Sequence, residues 1–137
     1  MRERTILVVE DDFVQRRQIA RVLEEAGYNV SEASEGLEAI RLLDARKIHL
    51  VLTDTGMSGF DGISLLKYIK NNHPHVPVVV FTSHPDSIGD IKPDALLCKP
   101  FGEEELIPLV RRLTEVPTLL LSARMASSPL LLKVKGK

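Results

Sequence analysis

Five short apolar runs alternate along the chain with longer segments in which apolar residues recur every three or four positions. The runs predict strands at residues 5–9, 28–32, 48–53, 78–81 and 95–98. Short runs rich in leucine and β-branched residues are typical of strands that are buried on both faces of a parallel sheet. The alternation of strands with helical patterns therefore predicts an α/β fold with a doubly wound sheet.

The segments between the runs predict amphipathic helices, and polar or helix-breaking residues indicate where they begin and end. Ser34 is the expected N-cap of the second helix. The third helix is expected from residue 61 or 62 to about 71, and the last one from about 102 to 114. Pro108 lies inside that last pattern and is expected to kink the helix or shift its start.

The segment between the fourth and fifth strands is short and contains Pro85, Gly89 and Pro93. Proline and glycine interrupt regular helices, so only a very short helix fits there. The sequence thus predicts a shortened or irregular fourth helix. A regular helix of three turns between Ser87 and Lys92 would contradict this prediction.

Composition and charge are those of an ordinary globular protein, with 44% hydrophobic residues, 27% charged residues and a net charge of -1. No basic excess points to nucleic acid, and no apolar run approaches the roughly 18 residues of a membrane span. The N-terminus leads directly into a strand, unlike a secretory signal. The single cysteine, Cys98, excludes an internal disulfide and fits a reducing compartment. We therefore expect a cytoplasmic protein.

Polar residues with complementary chemistry follow the apolar runs. The carboxyl ends of parallel strands meet at one edge of the sheet, where α/β proteins bind their ligands. These residues are Glu10, Asp11 and Asp12 after the first run, Asp54 after the third, Thr82 after the fourth and Lys99 after the fifth. Each alone is explained by helix capping, a turn or surface charge, and Asp12 is the expected cap. Together they predict a site for a divalent cation and a phosphoryl group.

Each of these residue types has a separate chemical role in such a site. Adjacent carboxylates such as Glu10 and Asp11 repel each other, and Mg²⁺, which prefers one or two carboxylates with water and phosphate oxygens, relieves that repulsion. Asp54 can act as a nucleophile that forms an acyl phosphate. Lys99 supplies a cation for the phosphoryl oxygens, and Pro100 after it favours an extended backbone that directs it off the sheet edge.

At these stretches the chain resembles the receiver domain of bacterial two-component response regulators. The matching stretches are residues 6–12, 50–54 with 59–62 downstream, 78–83 and 98–101. The resemblance covers roughly residues 4 to 115. It implies a flavodoxin-like (βα)5 fold with strand order 2-1-3-4-5.

The resemblance also implies roles for individual residues. Asp54 would accept a phosphoryl group from a sensor histidine kinase or a histidine phosphotransfer protein. Asp11 and Asp54 would ligate Mg²⁺ directly, Glu10 would act mainly through water, and the backbone carbonyl of Gly56 would complete the ligands. Lys99 would pair with the phosphoryl oxygens, and Thr82 would turn its hydroxyl toward them. The only chemistry expected is self-phosphorylation and self-dephosphorylation, not enzymatic turnover.

Two further positions depart from the family pattern. Ser58 stands where the loop after the phosphoacceptor usually has proline. Leu96 stands where the family has an aromatic residue, three positions before the lysine. A leucine cannot swing a ring in response to Thr82, so the usual coupling between threonine and an aromatic residue is not expected here.

We divide the chain into a receiver domain, residues 1–115, and a C-terminal tail, residues 116–137, that is apolar and lightly basic. The tail is too short for a DNA-binding effector domain, so we expect output through a downstream protein target, with no direct contact to nucleic acid. It is interpreted as a disordered end, a docking segment or a helix that packs on a partner, and self-association as a homodimer stays open.

Two other functions remain open from the residues alone. The first is a pseudo-receiver that binds partners without phosphorylation. The second is a phosphatase of the haloacid dehalogenase class, which also uses an aspartate after a buried strand, with a lysine and Mg²⁺. That class needs a second aspartate two positions on, where this chain has Gly56.

Overall fold

Parallel strands and helices alternate along the chain, as the hydrophobic pattern predicts. The computed structural model describes residues 3–55, 62–88, 92–115 and 132–135. The strands are β1 (Thr5–Val9), β2 (Asn29–Ala33), β3 (Leu50–Asp54), β4 (Val78–Thr82), β5 (Ala95–Cys98) and β6 (Leu132–Lys135). The helices are α1 (Phe13–Glu25), α2 (Gly36–Ala45), α3 (Gly62–Asn72) and α4 (Glu103–Glu115), and Pro85–Ile88 form a single 3-10 turn.

The strands form one parallel sheet in the order β2-β1-β3-β4-β5-β6. The first five follow the predicted order 2-1-3-4-5 of the flavodoxin-like fold, so the fold class is confirmed. Between β4 and β5 the structure describes a single 3-10 turn, Pro85–Ile88. This turn agrees with the prediction of a short and irregular segment there. No helix in the described part of the chain is long and apolar enough to cross a membrane.

Alternate residues of the strands face two separate apolar layers. On one face, Leu7, Val9 and Val51 pack in a cluster with residues of α2 and α3. On the other face, Ile6 and Val8 belong to a cluster with residues of α1 and α4. Every residue of β3 and β4 is buried. Burial on both faces fixes the register of the central strands, because a slip of one residue would exchange the two faces.

This register places the strand ends side by side. Val9 pairs with Thr53 across β1 and β3, and Thr82 pairs with Cys98 across β4 and β5. Asp54, the last residue of β3, pairs with Phe81 of β4. The residues that follow or end β1, β3, β4 and β5 therefore lie along one edge of the sheet.

The cap of α2 differs from the expectation. Glu35, not Ser34, is the N-cap, and its side chain accepts a hydrogen bond from the backbone N–H of Leu37 at 3.4 Å. The backbone N–H and the hydroxyl of Ser34 both donate to Oε1 of Glu38, at 2.9 and 3.1 Å. The serine hydroxyl is thus used as a donor one residue before the cap.

Two other expectations also change. Helix α4 begins at Glu103 and continues through Pro108 to Glu115, so the proline does not shift its start. In addition, part of the tail forms a sixth strand, with Leu132 opposite Ala95 and Lys135 opposite Cys98. The alternation of apolar and basic residues in Leu-Lys-Val-Lys was an available strand signal. The domain boundary at residue 115 stays a prediction.

Candidate functional site

The residues predicted to form the site come together at the carboxyl edge of the sheet, as far as the structure describes them. Glu10 and Asp11 follow β1 directly, and Asp54 is the last residue of β3. Thr82 ends β4 and Lys99 follows β5. Gly56, the predicted backbone ligand, and Ser58 lie outside the described residues.

Three carboxylates meet at this edge. Glu10, Asp11 and Asp54 each offer one oxygen, and these oxygens all lie within 4.8 Å of one another. Glu10 is 1% exposed and Asp54 is 9% exposed, whereas Asp11 is open to solvent. Two nearly buried carboxylates and one exposed carboxylate form an acidic pocket with an open side.

Glu10 shows the electrostatic cost of this arrangement. Burial raises its pKa to about 7, the backbone hydrogen bond from Asp12 opposes that shift, and the Asp11 and Asp54 carboxyls add to it. Its Oε1 atom is buried and accepts no hydrogen bond from the described residues, although the ammonium of Lys99 lies 3.5 Å away. A buried carboxylate oxygen without a hydrogen bond, beside two other carboxylates, fits a divalent cation.

Lys99 supplies the positive charge of the site. Its Nζ atom lies 3.4 Å from Oδ2 of Asp54 and 3.5 Å from Oε1 of Glu10. The same atom lies 5.1 Å from the centre of the Phe81 ring, within the range of a cation–π interaction. The ammonium is therefore held between the two buried carboxylates and an aromatic face, and the Lys99–Pro100 peptide bond beside it is cis.

Thr82 ends β4, the strand that lies between β3, which Asp54 ends, and β5, which Lys99 follows. Its hydroxyl oxygen accepts hydrogen bonds from the hydroxyl of Thr55 at 3.1 Å and from the backbone N–H of His84 at 3.0 Å. Asp54, Thr82 and Lys99 line the same open cleft, with a volume of about 460 Å³. The cleft gives a phosphoryl group room beside the carboxylate of Asp54.

Asp12 is the N-cap of α1, as predicted. Its carboxylate accepts from the backbone N–H groups of Val14 and Gln15, and these bonds, led by the one from Gln15, lower the pKa of Asp12. Its own backbone N–H donates to Oε2 of Glu10 at 3.0 Å. Asp12 thus holds the start of the helix and is not one of the three clustered carboxylates.

Two residues of α1 contact the site and were not predicted from the sequence. The side-chain oxygen of Gln15 accepts a hydrogen bond from Nζ of Lys99 at 3.2 Å. Arg16 donates from its guanidinium to the backbone carbonyl of Glu10 at 2.8 Å. A Gln three positions after an Asp cap is a sequence signal for a capping box, but it does not indicate a contact with Lys99. For Arg16 the sequence offered no signal.

Leu96 lies in the core. It is 4% exposed and belongs to the same apolar cluster as Val80 and Ile88. An aliphatic side chain buried in this way offers no hydrogen bond to Thr82 and has no ring to reorient. The position at which an aromatic residue was expected is thus a buried aliphatic core position in this chain.

Comparison with known proteins decides the family. A family model described as the response regulator receiver domain matches residues 6–111. The chain belongs to this family. The receiver domain is 34% identical over 117 residues to the DNA-binding transcriptional regulator NtrC of Escherichia coli (strain K12), a match that covers 82% of this chain and 25% of that protein. The chain therefore spans about a quarter of the length of the curated relatives that it matches.

Solved structures show the same fold. The receiver domain superposes on the response regulator protein TrrA from Thermotoga maritima, solved in complex with Mg²⁺ and BeF, with a TM-score of 0.76 and 26% identity over 80% of this chain and 98% of that one. It also superposes on a response regulator receiver domain from Clostridium thermocellum, with a TM-score of 0.77 and 27% identity over 85% of this chain and 98% of that one.

Proposed function

We propose that this receiver domain accepts a phosphoryl group on Asp54 from the phosphohistidine of a sensor histidine kinase or a histidine phosphotransfer protein, with Mg²⁺ as cofactor. The observation that carries the proposal is the position of Nζ of Lys99, 3.4 Å from Oδ2 of Asp54, beside the carboxylates of Glu10 and Asp11. A nucleophilic carboxylate, a cation and an acidic pocket are the groups that phosphoryl transfer to aspartate requires.

The transfer exchanges one bond to phosphorus for another. A carboxylate oxygen of Asp54 attacks the phosphorus atom, and an O–P bond forms while the P–N bond to the donor histidine breaks. The histidine ring nitrogen takes the electron pair of the broken bond and leaves as imidazole once it is protonated. Hydrolysis later breaks the O–P bond with water and regenerates the Asp54 carboxylate with inorganic phosphate.

The acidic pocket is the proposed metal site. Asp11 and Asp54 would ligate Mg²⁺ directly, Glu10 would act mainly through water, and the carbonyl of Gly56, outside the described residues, would be a further ligand. The ion, when bound, would supply positive charge for the phosphoryl oxygens. The buried Oε1 of Glu10, which accepts no hydrogen bond from the described residues, supports this assignment.

Lys99 and Thr82 have separate roles in this proposal. The ammonium of Lys99 would form an ion pair with the phosphoryl oxygens, because it already lies 3.4 Å from Oδ2 of Asp54. Thr82 would donate its hydroxyl proton to a phosphoryl oxygen from within the same cleft. Its hydroxyl oxygen is held in place by the backbone N–H of His84, which donates to it at 3.0 Å.

The phosphodonor would approach over the start of α1. Phe13 and Val14, the first two residues of α1, are 64% and 61% exposed. Large apolar side chains at such exposure are suited to contact with a protein partner.

We further propose a receiver domain in residues 1–115 and a tail in 116–137, with output to a protein target or a second copy of the chain. The buried Leu96 indicates that this output does not use a mobile aromatic residue at that position.

Phosphorylation by a small donor tests this function. The full chain is incubated with acetyl phosphate and Mg²⁺, and its intact mass is measured. We expect the wild type to gain one phosphoryl group and Asp54→Asn to gain none. Asp44→Asn, which changes an exposed aspartate of α2, is the matched control and should be phosphorylated like the wild type.

Two results would contradict the proposal. No adduct with acetyl phosphate, phosphoramidate or a phosphorylated kinase would indicate a pseudo-receiver. Continuous release of phosphate from unrelated phosphate esters would indicate a phosphatase.

A further inference from the structure

Gln15 connects the catalytic lysine to the cap of α1. Its side-chain oxygen accepts a hydrogen bond from Nζ of Lys99 at 3.2 Å, across 84 positions of sequence. Its side-chain nitrogen donates to Oδ2 of Asp12, also at 3.2 Å. These partners fix the orientation of the amide, because an ammonium only donates and a carboxylate only accepts.

Gln15 is free for this contact because Glu10 has taken over its usual role. In a capping box, the Glu or Gln three positions after the cap bonds back to the backbone N–H of the cap residue. Here that N–H, on Asp12, donates to Oε2 of Glu10. The backbone N–H of Asp12 is thus satisfied without the side-chain oxygen of Gln15, which accepts from Lys99 instead.

The contacts of Lys99 show what Gln15 adds. An ammonium has three N–H donors, and three oxygens of the described residues lie within 3.5 Å of Nζ of Lys99, from Gln15, Asp54 and Glu10. The Gln15 oxygen is the nearest of these three, at 3.2 Å, and the other two belong to carboxyl groups. In the proposed phosphorylated state, Asp54 would carry the phosphoryl group and Glu10 would face the metal. Gln15 would then remain the fixed protein contact of the ammonium.

We propose that Gln15 is a positioning residue that holds the ammonium of Lys99 toward the phosphoryl group. This inference rests on the proposed function of Asp54 and Lys99. A neutral acceptor suits the role, since it orients one N–H of Lys99 and leaves the positive charge for the phosphoryl oxygens. The site would thereby be organised before the donor binds, which lowers the cost of ordering a long side chain during transfer.

Gln15→Met tests the role, because methionine keeps the length and helix propensity of glutamine but has no strong acceptor. We expect the maximal rate of phosphorylation by phosphoramidate to fall about tenfold, because the loss of one hydrogen bond to a charged group has an effect of about that size. The Mg²⁺ concentration for half-maximal rate should not change, since Gln15 contacts Lys99 and none of the three clustered carboxylates. Gln18→Met, one turn further on the exposed face of α1, is the matched control and should keep the wild-type rate.

The contact itself is measured separately, without phosphorylation. In metal-free protein with ¹⁵N-labelled lysine, we expect the Nζ protons of Lys99 to be protected from solvent exchange in the wild type and in Gln18→Met. They should exchange faster in Gln15→Met. This measurement remains valid if the chain accepts no phosphoryl group, so failure of the proposed function and failure of this inference are distinguishable.

Two outcomes would overturn the inference. One is a Gln15→Met variant with the wild-type rate and unchanged exchange of the Lys99 ammonium. The other is a rate and a Mg²⁺ affinity that fall together, which would assign Gln15 to the fold of the loop after β1 and not to Lys99.

Discussion

Nζ of Lys99 lies 3.4 Å from Oδ2 of Asp54, although the two residues are 45 positions apart in the sequence. The parallel register brings them together, because β4 lies between the strands that carry them and all three strands end at one edge. The contact pairs a flexible cation with a nearly buried carboxylate.

Replacement of Lys99 by methionine removes the cation and keeps the length of the side chain. We expect the rate of phosphorylation by acetyl phosphate to fall by at least about tenfold, since stabilisation of developing charge by a fixed cation is a large catalytic term. Intact mass as a function of time measures this rate. Lys92→Met is the control, because Lys92 is exposed and should not affect the rate. Equal rates in the three proteins would exclude Lys99 from the reaction.

Glu10→Gln tests the acidic pocket through stability. Without metal, we expect the free energy of unfolding of the variant to be about 1 kcal/mol higher than that of the wild type, because the substitution removes one of two neighbouring buried carboxylates. The variant should therefore unfold at a higher urea concentration. With Mg²⁺ the wild type should gain stability and Glu10→Gln should gain less, since an ion stabilises the state that binds it. Urea unfolding in EDTA and in Mg²⁺ measures both effects. Equal gains in the two proteins would contradict a metal role for Glu10.

Gly62, the first residue of α3, lies close against the backbone of Asp54. A Cβ atom at Gly62 would lie 2.2 Å from the backbone oxygen of Asp54 and 3.0 Å from Cα of Thr55. We therefore expect Gly62→Ala to destabilise the fold by about 2 kcal/mol or more, because backbone must move to admit the methyl group.

Gly102→Ala is the matched control for that variant. The three atoms nearest to a Cβ atom there all belong to the flexible side chain of Glu104, which can turn away. Urea unfolding of both variants compares the costs. A Gly62→Ala variant as stable as Gly102→Ala would show that the backbone of Asp54 is not confined by α3.

These contacts mark the limit of what the sequence predicts. The buried apolar runs predict the strands of the sheet, because hydrophobic burial sets where each strand begins and ends. The polar residues that follow the runs then predict the acidic edge. Asp54 and Thr82 were expected to follow their strands, but they end them as paired residues. The Gln15 contact was not predictable, because it depends on side-chain conformations of residues 84 positions apart. The strand β6 was missed because its alternating pattern covers only Leu132–Lys135.

His49 makes the fold sensitive to acid. Its Nδ1 atom accepts a hydrogen bond from the backbone N–H of Thr5 at 3.0 Å, which only the unprotonated ring nitrogen can do. Burial, with the nearby charges of Arg4 and Lys47, lowers the pKa of His49 below its usual value of 6.5. The unfolded chain therefore takes up this proton at a higher pH than the folded chain. Stability is lost as the pH falls from about 6.5 to the folded pKa.

His49→Asn removes this titration and keeps an oxygen that can accept from Thr5. Between pH 7.5 and 5.5, the wild type should lose more stability than the variant in urea unfolding. An NMR titration of the His49 ring checks the cause directly. A ring pKa at or above 6.5 would contradict the account.

The central claim is that the carboxylate of Asp54 carries the phosphoryl group. The most direct measurement is to phosphorylate the full chain with acetyl phosphate and Mg²⁺, reduce the acyl phosphate with borohydride, and identify the reduced residue by peptide mass spectrometry. We predict reduction at Asp54 alone, and none when the phosphodonor is omitted. A reduced residue at another aspartate or glutamate, with Asp54 unchanged, would contradict the account.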